Sequence, residues 1–314
     1  MKRWLLVFVL PAIVAAGLML YPLPYFSEGP GPTEDVASML TISDHPVYQS
    51  DGRFLLTTVS QSSHRLSPAE ILIAWLDPDT VVVPDEIVLP PSGSIAEAEA
   101  LAAEQMQQSQ ISATAVALGA AADYPNSRGT GALIAGVLEA CPAFGKLRTG
   151  DLVTAIDGTT LDDARSADAA IDEVPPSEPV RFAIQTPKGS KQVSVTRAVC
   201  AGQKEPLLGI GLIDPFPFPV KINDKGIGGP SAGLMISLGL YDELTPGDLA
   251  GGRTIAGTGT ISADGTVGPI GGVTEKLIAA RAAGADLFLV PDGNLAEARS
   301  SADGLRLVPV SDFD

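Results

Sequence analysis

The chain has 314 residues, of which 45% are hydrophobic, and a formal net charge of −17. This length predicts about two domains with ordinary apolar cores. The strongly acidic balance excludes a nucleic-acid partner, because binding to phosphates needs basic patches. Two cysteines cannot form a structural zinc site by themselves, and we expect neither a metal nor a cofactor.

The N-terminus has the pattern of a membrane signal-anchor, predicted over residues 1–26. Two basic residues, Lys2 and Arg3, precede the uncharged run Trp4–Tyr21, which reaches the length of a membrane-spanning helix. Positive charge before the run places the N-terminus in the cytoplasm and the rest of the chain outside. A cleaved signal peptide is the alternative, although no small-residue cleavage site follows the run. Residues 27–52, Gly/Pro-rich at first, are predicted to form a linker.

Residues 53–122 alternate between strand and helix patterns. The predicted strands are Arg53–Val59 and Thr80–Pro84, and the predicted helices are Ser67–Leu76 and the long, Ala- and Gln-rich Ser94–Leu118. Ser94 and Glu97 have the spacing of a capping box.

Residues 123–200 have a different pattern and form a separate predicted domain. A turn-rich boundary precedes a strand from Gly131 to Val137, a short helix over Asp163–Asp172, and two alternating strands, Val180–Gln185 and Lys191–Val199. Cys141 and Cys200 fall within this segment. They form either one disulfide, in an oxidising compartment, or two buried thiols.

Three short motifs make this segment resemble a PDZ domain of the bacterial protease type. They are Pro142-Ala143, Gly150-Asp151 and the turn Ile156–Gly158. PDZ domains bind a peptide as an added strand. The resemblance implies a peptide groove along Gly131, Ala132, Leu133 and Ile134.

Residues 201–314 carry the candidate chemistry. After an apolar strand predicted over Leu207–Ile213, the turn Gly228–Gly233 enters a run that is typical of a buried helix. Ser231 lies in this turn, where free backbone N–H groups and the helix dipole can stabilise an oxyanion. A serine that merely caps the helix is the alternative.

Lys276 is the candidate general base for Ser231. A serine hydroxyl needs a group that accepts its proton, and His45 and His64, the two histidines, lie in no catalytic context. A lysine can serve if burial lowers its pKa. A solvated lysine at a helix start is the alternative, but the helix dipole disfavours a cation there.

Several motifs in order make residues 207–310 resemble the proteolytic domain of Lon-type serine endopeptidases. The motifs lie at Gly229–Gly233, Thr258–Ile261, Gly265–Ala280, Ala283–Ala285 and Val290-Pro291. The resemblance implies a catalytic dyad of Ser231 and Lys276, with Thr258 holding the lysine amine and Gly229 and Ala232 as supporting residues. It also implies that the chain can form a homo-oligomer.

Together these patterns predict an α+β fold in which a PDZ-like domain interrupts a Lon-type proteolytic domain, with residues 53–122 forming its first part and 201–314 its second. No G-x-x-x-x-G-K-[ST] motif occurs, so cleavage is predicted to be independent of ATP. The predicted function is a membrane-anchored serine endopeptidase that cleaves peptides or misfolded proteins outside the cell. The alternative is a membrane-anchored PDZ adaptor with an inactive protease scaffold.

Overall fold

The computed structural model describes residues 17, 19–90, 93–186 and 189–313. Within those ranges, every helix is too short or too polar to cross a bilayer. Most of the signal-anchor predicted over residues 1–26 lies outside the described residues. Its predicted end at residue 26 is wrong, because Tyr25 and Phe26 belong to a strand.

The described chain alternates between helices and strands in all three predicted segments. The helices are α1 (Pro68–Ala74), α2 (Asp85–Val88), α3 (Ile95–Ala121), α4 (Ala164–Glu173), α5 (Gly233–Leu244), α6 (Val273–Ala282) and α7 (Leu295–Ser301). The strands are β1 (Tyr25–Asp35), β2 (Leu40–Ile42), β3 (Arg53–Gln61), β4 (Val81–Pro84), β5 (Ala132–Val137), β6 (Leu152–Ile156), β7 (Thr159–Thr160), β8 (Pro179–Thr186), β9 (Gly189–Thr196), β10 (Ala198–Val199), β11 (Pro206–Leu207), β12 (Ile210–Ile213), β13 (Val220–Ile222), β14 (Thr254–Gly257), β15 (Thr260–Ile261), β16 (Val267–Gly268), β17 (Leu287–Pro291) and β18 (Arg306–Val310).

The main sheet combines strands from both ends of the chain. Its order is β18-β17-β14-β3-β1-β4. The pairs from β18 to β3 are parallel, with Leu55 opposite Ala256, whereas β3-β1 and β1-β4 are antiparallel. Residues on either side of the 123–200 segment therefore share one sheet.

Alternation along β3 explains the layers around this sheet. Phe54 and Leu56 belong to a core with Met235 of α5 and residues of α3. Leu55 belongs to a second core with Leu277 of α6. Because successive strand residues point to opposite faces, helices pack on both sides of the sheet. The resulting mixture of helices and strands agrees with the predicted α+β class.

The interrupting segment forms a second sheet with the order β12-β5-β6-β8-β9, in which β7 also pairs with β6. Its own apolar core includes Ile134, Phe182 and Leu208. Because β12 belongs to this sheet, the predicted end of the unit at residue 200 is wrong, and the unit extends to Ile213. The single strand predicted over Leu207–Ile213 is broken at Gly209, which has φ 81° and packs against Cys141.

The chain enters the second sheet through residues 124–129 and leaves it through residues 214–215. Hydrogen bonds join these two segments. The backbone N–H of Gly129 donates to the carbonyl of Pro215 at 2.9 Å, and the Tyr124 hydroxyl donates to the carbonyl of Asp214 at 2.6 Å.

A disulfide joins Cys141 to Cys200. It closes a long loop within the inserted unit, and such a cross-link stabilises a fold by about 4 kcal/mol in the chain-entropy model.

The linker predicted over residues 27–52 is also wrong in its first part, because β1 occupies Tyr25–Asp35. This strand is hydrogen-bonded on both sides, and Phe26 is buried. The register with β3 shifts between Pro30 and Thr33. Proline lacks an N–H and is tolerated in strands at such bulges, which is why a proline-rich sequence forms a strand here.

Candidate active site

Ser231 lies in the turn that enters α5, two residues before the helix begins. It is half-buried, and its carbonyl accepts a hydrogen bond from the backbone N–H of Gly259 at 2.9 Å. No described residue accepts a hydrogen bond from the backbone N–H of Ser231 or of Ala232, which is the N-cap. These two N–H groups are free to bind an anionic oxygen beside the Ser231 hydroxyl.

Helix α3 supports this turn from behind. The N–H of Gly229 donates to the carbonyl of Ala102 at 2.7 Å, and the Ser109 hydroxyl donates to the carbonyl of Pro230 at 2.9 Å. Sequence analysis missed Ser109, which lies 121 residues before its partner. The sequence feature that could have identified Ser109 is its spacing: it lies three residues after the buried Met106 and therefore on the apolar face of the helix.

Lys276 is held in α6, a helix that packs closely against the main sheet. The helix begins after Gly272, which has φ 68°, and a Cβ at Gly272 would lie 2.5 Å from Cγ2 of Val59. Glycine is therefore required both by the backbone conformation and by the close approach to β3. This approach buries Lys276, which is 3% exposed, next to the turn that carries Ser231.

The side chains of Lys276, Ser231 and Thr258 meet in one hydrogen-bonded group. Lys276 Nζ lies 2.7 Å from Ser231 Oγ and 3.0 Å from Thr258 Oγ1. The Thr258 hydroxyl donates to the carbonyl of Ser231 at 3.1 Å. Because its proton is directed to that carbonyl, Thr258 Oγ1 accepts from Lys276. One N–H of the amine is thereby oriented, and another position of Nζ faces Ser231 Oγ.

Burial lowers the pKa of Lys276 to about 8, from an ordinary value of 10.5. The charge of the neighbouring Glu275 opposes this effect and raises the pKa. Burial dominates because an ammonium group that is removed from water loses most of its solvation. A pKa near neutrality is the property that a general base requires.

An open cleft of about 710 Å³ gives access to this group. Among the residues that line it are Ser231, Ala232, Lys276, Gly271, Gly272, Ile227, Thr57, Thr58 and Ile87. Ser231 also lines a smaller depression, together with Pro230, Thr260, Pro269 and Ile270. Both spaces are therefore adjacent to Ser231.

The two histidines lie elsewhere. His45 stacks on Phe218 with ring centroids 4.4 Å apart, and His64 pairs with Glu70 at 3.0 Å. Neither of them lines the cleft.

The predicted peptide groove along Gly131–Ile134 is wrong, because β5 is an interior strand. It pairs with β12 on one side and with β6 on the other, and Ile134 makes two further backbone hydrogen bonds, to Gly150 and Asp151. A peptide strand cannot pair with backbone groups that are already paired. Among the described residues the edge strand on this side of the sheet is β12, which lies beside α4.

Comparison with known proteins identifies the segment that contains Ser231, Thr258 and Lys276. Residues 225–311 match the family model described as the Lon protease (S16) C-terminal proteolytic domain. The chain is 33% identical to Lon protease 2 of Bacillus subtilis (strain 168) over 104 residues, which are 32% of this chain and 18% of that protein. The similarity therefore spans less than a fifth of the length of that relative, and it supports a serine peptidase domain in this part of the chain.

Solved PDZ structures are also similar to part of the chain. The PDZ domain of an SdrC-like protein from Listeria monocytogenes is 23% identical, with a TM-score of 0.24, and the alignment covers 27% of this chain and 88% of that domain. The second domain of a Listeria protein is 26% identical, with a TM-score of 0.25, over 27% of this chain and 86% of that domain.

Proposed function

We propose that the chain is an ATP-independent serine endopeptidase in which Ser231 is the nucleophile and Lys276 the general base. The observation that carries the proposal is the 2.7 Å distance between Lys276 Nζ and Ser231 Oγ, with the amine buried and its pKa lowered to about 8. The similarity of residues 225–311 to a Lon proteolytic domain supports it.

In the proposed mechanism, neutral Lys276 accepts the proton of the Ser231 hydroxyl while Oγ bonds to the scissile carbonyl carbon. The carbonyl oxygen becomes an anion, which the free N–H groups of Ser231 and Ala232 stabilise. The C–N bond then breaks, and Lys276 returns the proton to the leaving amine. Lys276 then accepts a proton from water, which hydrolyses the acyl-enzyme and regenerates Ser231.

We propose that the enzyme is attached to the membrane by the run Trp4–Tyr21 and acts outside the cytoplasm on peptides or poorly folded proteins. The disulfide between Cys141 and Cys200 supports this location, because such bonds persist in oxidising compartments. The inserted unit would bind substrate chains and present them to the cleft.

Cleavage of an unfolded protein such as casein, without ATP, tests the peptidase. Ser231→Ala and Lys276→Ala should each abolish cleavage, since one removes the bond-forming oxygen and the other the base. Ser237→Ala is the matched control, because within the described part of the chain this buried hydroxyl of α5 bonds only to the carbonyl of Leu234. Cleavage that persists in the folded Ser231→Ala variant would refute the dyad.

An inactive adaptor is the second candidate, and the free edge of β12 is the observation that favours it. A peptide could add to this edge and lie between β12 and α4. Amide chemical shifts of the Ser231→Ala variant, titrated with an unfolded casein peptide, would locate binding. Shifts at Ile210–Ile213 and α4, together with a wild type that cleaves nothing, would favour the adaptor over the enzyme.

A further inference from the structure

Large apolar side chains are exposed on α1 and in the turn that follows it, on α2, and before β1. We call this set the apolar patch, and it consists of Tyr21, Leu72, Ile73, Trp75, Leu76 and Ile87. Leu76 is 85% exposed and Trp75 71% exposed. Isolated exposed leucines are ordinary, but neighbouring exposed apolar residues of this size mark an interaction surface.

The N-terminal segment enters the fold at this patch. The N–H of Leu23 donates to the carbonyl of Leu66 at 2.8 Å, immediately before α1 begins. The N–H of Asp85, the first residue of α2, donates to the carbonyl of Pro24 at 3.0 Å. The two helices therefore flank the point at which residues 23–24 join the body of the protein.

This attachment leaves little distance between the patch and the run Trp4–Tyr21. Only Pro22 separates Tyr21 from Leu23, and two residues span at most about 7 Å. If the run crosses a bilayer, its end at Tyr21 lies at the headgroup level, and α1 must lie within a short distance of the same level. Tryptophan and tyrosine are the residues that prefer this interface.

The charge of the chain indicates how the contact would be made. With a net charge of −17, the protein is repelled by anionic lipid rather than attracted to it. Asp77 and Asp79, directly after Leu76, add to this local repulsion. The driving force available to the patch is therefore burial of apolar area in the interfacial region of zwitterionic lipid.

We propose that the apolar patch docks onto the bilayer surface beside the membrane anchor. This inference rests on the proposed attachment through Trp4–Tyr21. Ile87 belongs both to the patch and to the lining of the catalytic cleft. Docking therefore holds the mouth of the cleft at the membrane surface, where it accepts chain segments that emerge from the bilayer.

The two tryptophans of the chain, Trp4 and Trp75, provide the test. The full-length protein is reconstituted in phosphatidylcholine vesicles, with and without lipid that is brominated near the carbonyl end of its acyl chain. In the Trp4→Phe variant only Trp75 fluoresces, and in Trp75→Phe only Trp4 does. Docking predicts that bromine lowers the emission of Trp75 and that the emission maximum lies at shorter wavelength in vesicles than in detergent.

A second variant removes the patch without touching the cleft. Ile73→Asn with Leu76→Asn, in the Trp4→Phe background, should abolish quenching of Trp75 while cleavage of a soluble peptide continues. Both side chains are largely exposed, at 67% and 85%, so the fold should tolerate the change.

The outcomes separate failure of docking from failure of the function proposed above. Quenching of Trp4 but not of Trp75 would show that the chain is anchored and the patch is not docked. Quenching of neither would overturn the anchor and the docking together, while loss of cleavage in Ser231→Ala would still support the peptidase. A short-wavelength emission of Trp75 that bromine leaves unchanged would show that another protein surface covers the patch, and it would overturn docking to lipid.

Discussion

The hydroxyl of Thr258 donates to the main-chain carbonyl of Ser231 over 3.1 Å. This bond joins the residue that holds the Lys276 amine to the turn that carries the candidate nucleophile. It fixes the direction of the Thr258 proton, so that the hydroxyl oxygen can only accept from Lys276 Nζ, 3.0 Å away. Thr258 is fully buried, and the triangle is thereby held in place by packing as well as by hydrogen bonds.

Thr258→Val should lower kcat by about 10- to 100-fold with little change in KM, because the amine loses its orientation toward Ser231 while the shape of the side chain is kept. Thr258→Ser keeps the hydroxyl and should retain most of the activity. The measurement is steady-state cleavage of a fluorogenic peptide. Equal losses in both variants would indicate that packing at this position, and not the hydroxyl, is what matters.

The cleavage rate should rise with pH through a value near 8. A general base at Lys276, as proposed, acts only when it is neutral, and with a pKa of about 8 about a tenth of the protein is in that form at pH 7. We expect kcat/KM to increase about tenfold from pH 7 to high pH and then to level off. A profile that falls across this range would contradict Lys276 as the base.

Glu275→Gln should move this rise to lower pH. The carboxylate of Glu275 raises the pKa of Lys276, so removing its charge leaves burial unopposed and lowers the pKa further. The variant should therefore be more active than the wild type near pH 7 and similar to it at high pH. Glu297→Gln, on α7, provides a control for a general change of charge, and its profile should follow that of the wild type.

Lys276→Met should abolish cleavage and stabilise the fold at pH 7. The difference between 10.5 and about 8 corresponds to about 3 kcal/mol of unfavourable free energy for burying the protonated amine. Loss of its two hydrogen bonds, at about 1 kcal/mol each, offsets part of this and leaves a gain of about 1 kcal/mol.

The pH dependence of stability provides the check on this substitution. Between pH 8 and 10.5 the unfolded wild type binds more protons than the folded state, so its free energy of unfolding rises with pH. The methionine variant lacks this rise. The gap between the two proteins in urea denaturation should therefore be largest below pH 8 and close as the pH approaches 10.5. A constant gap would mean that the folded and unfolded states bind the same number of protons, so that burial does not lower the pKa of Lys276.

Ser109→Ala should reduce kcat by about tenfold and the free energy of unfolding by about 1 kcal/mol, because the carbonyl of Pro230 loses its buried donor and the turn before Ser231 loses a support. Ser112→Ala is the matched control, since this half-buried serine lies one turn away on the same helix and makes no hydrogen bond to the Ser231 turn. If both variants behave alike, α3 does not position the nucleophile.

Local sequence was sufficient for many of the helices and strands and for the identity of the candidate reacting groups. Helix α3 follows from its apolar face and strand β3 from its leucines and β-branched residues, and Ser94 caps α3 as its spacing predicts. Ser231 and Lys276 could be selected because a glycine-rich turn and a lysine at a helix start are unusual in themselves. The proline-rich β1 was mistaken for a linker because its hydrogen bonds come from strands far away in the chain.

The amino-acid sequence by itself determined which residue types are available: a hydroxyl in a bare turn, an amine in a small apolar helix, and a threonine in a β-rich segment. Only the tertiary structure decided that they meet, since Ser231 and Lys276 are 45 residues apart and their 2.7 Å contact depends on packing of α6 against β3. The position of β12 at the edge of its sheet and the hydrogen bond from Ser109 to Pro230 were likewise decided only by the tertiary structure. Strand order and long-range contacts arise from burial of whole surfaces, which no local pattern encodes.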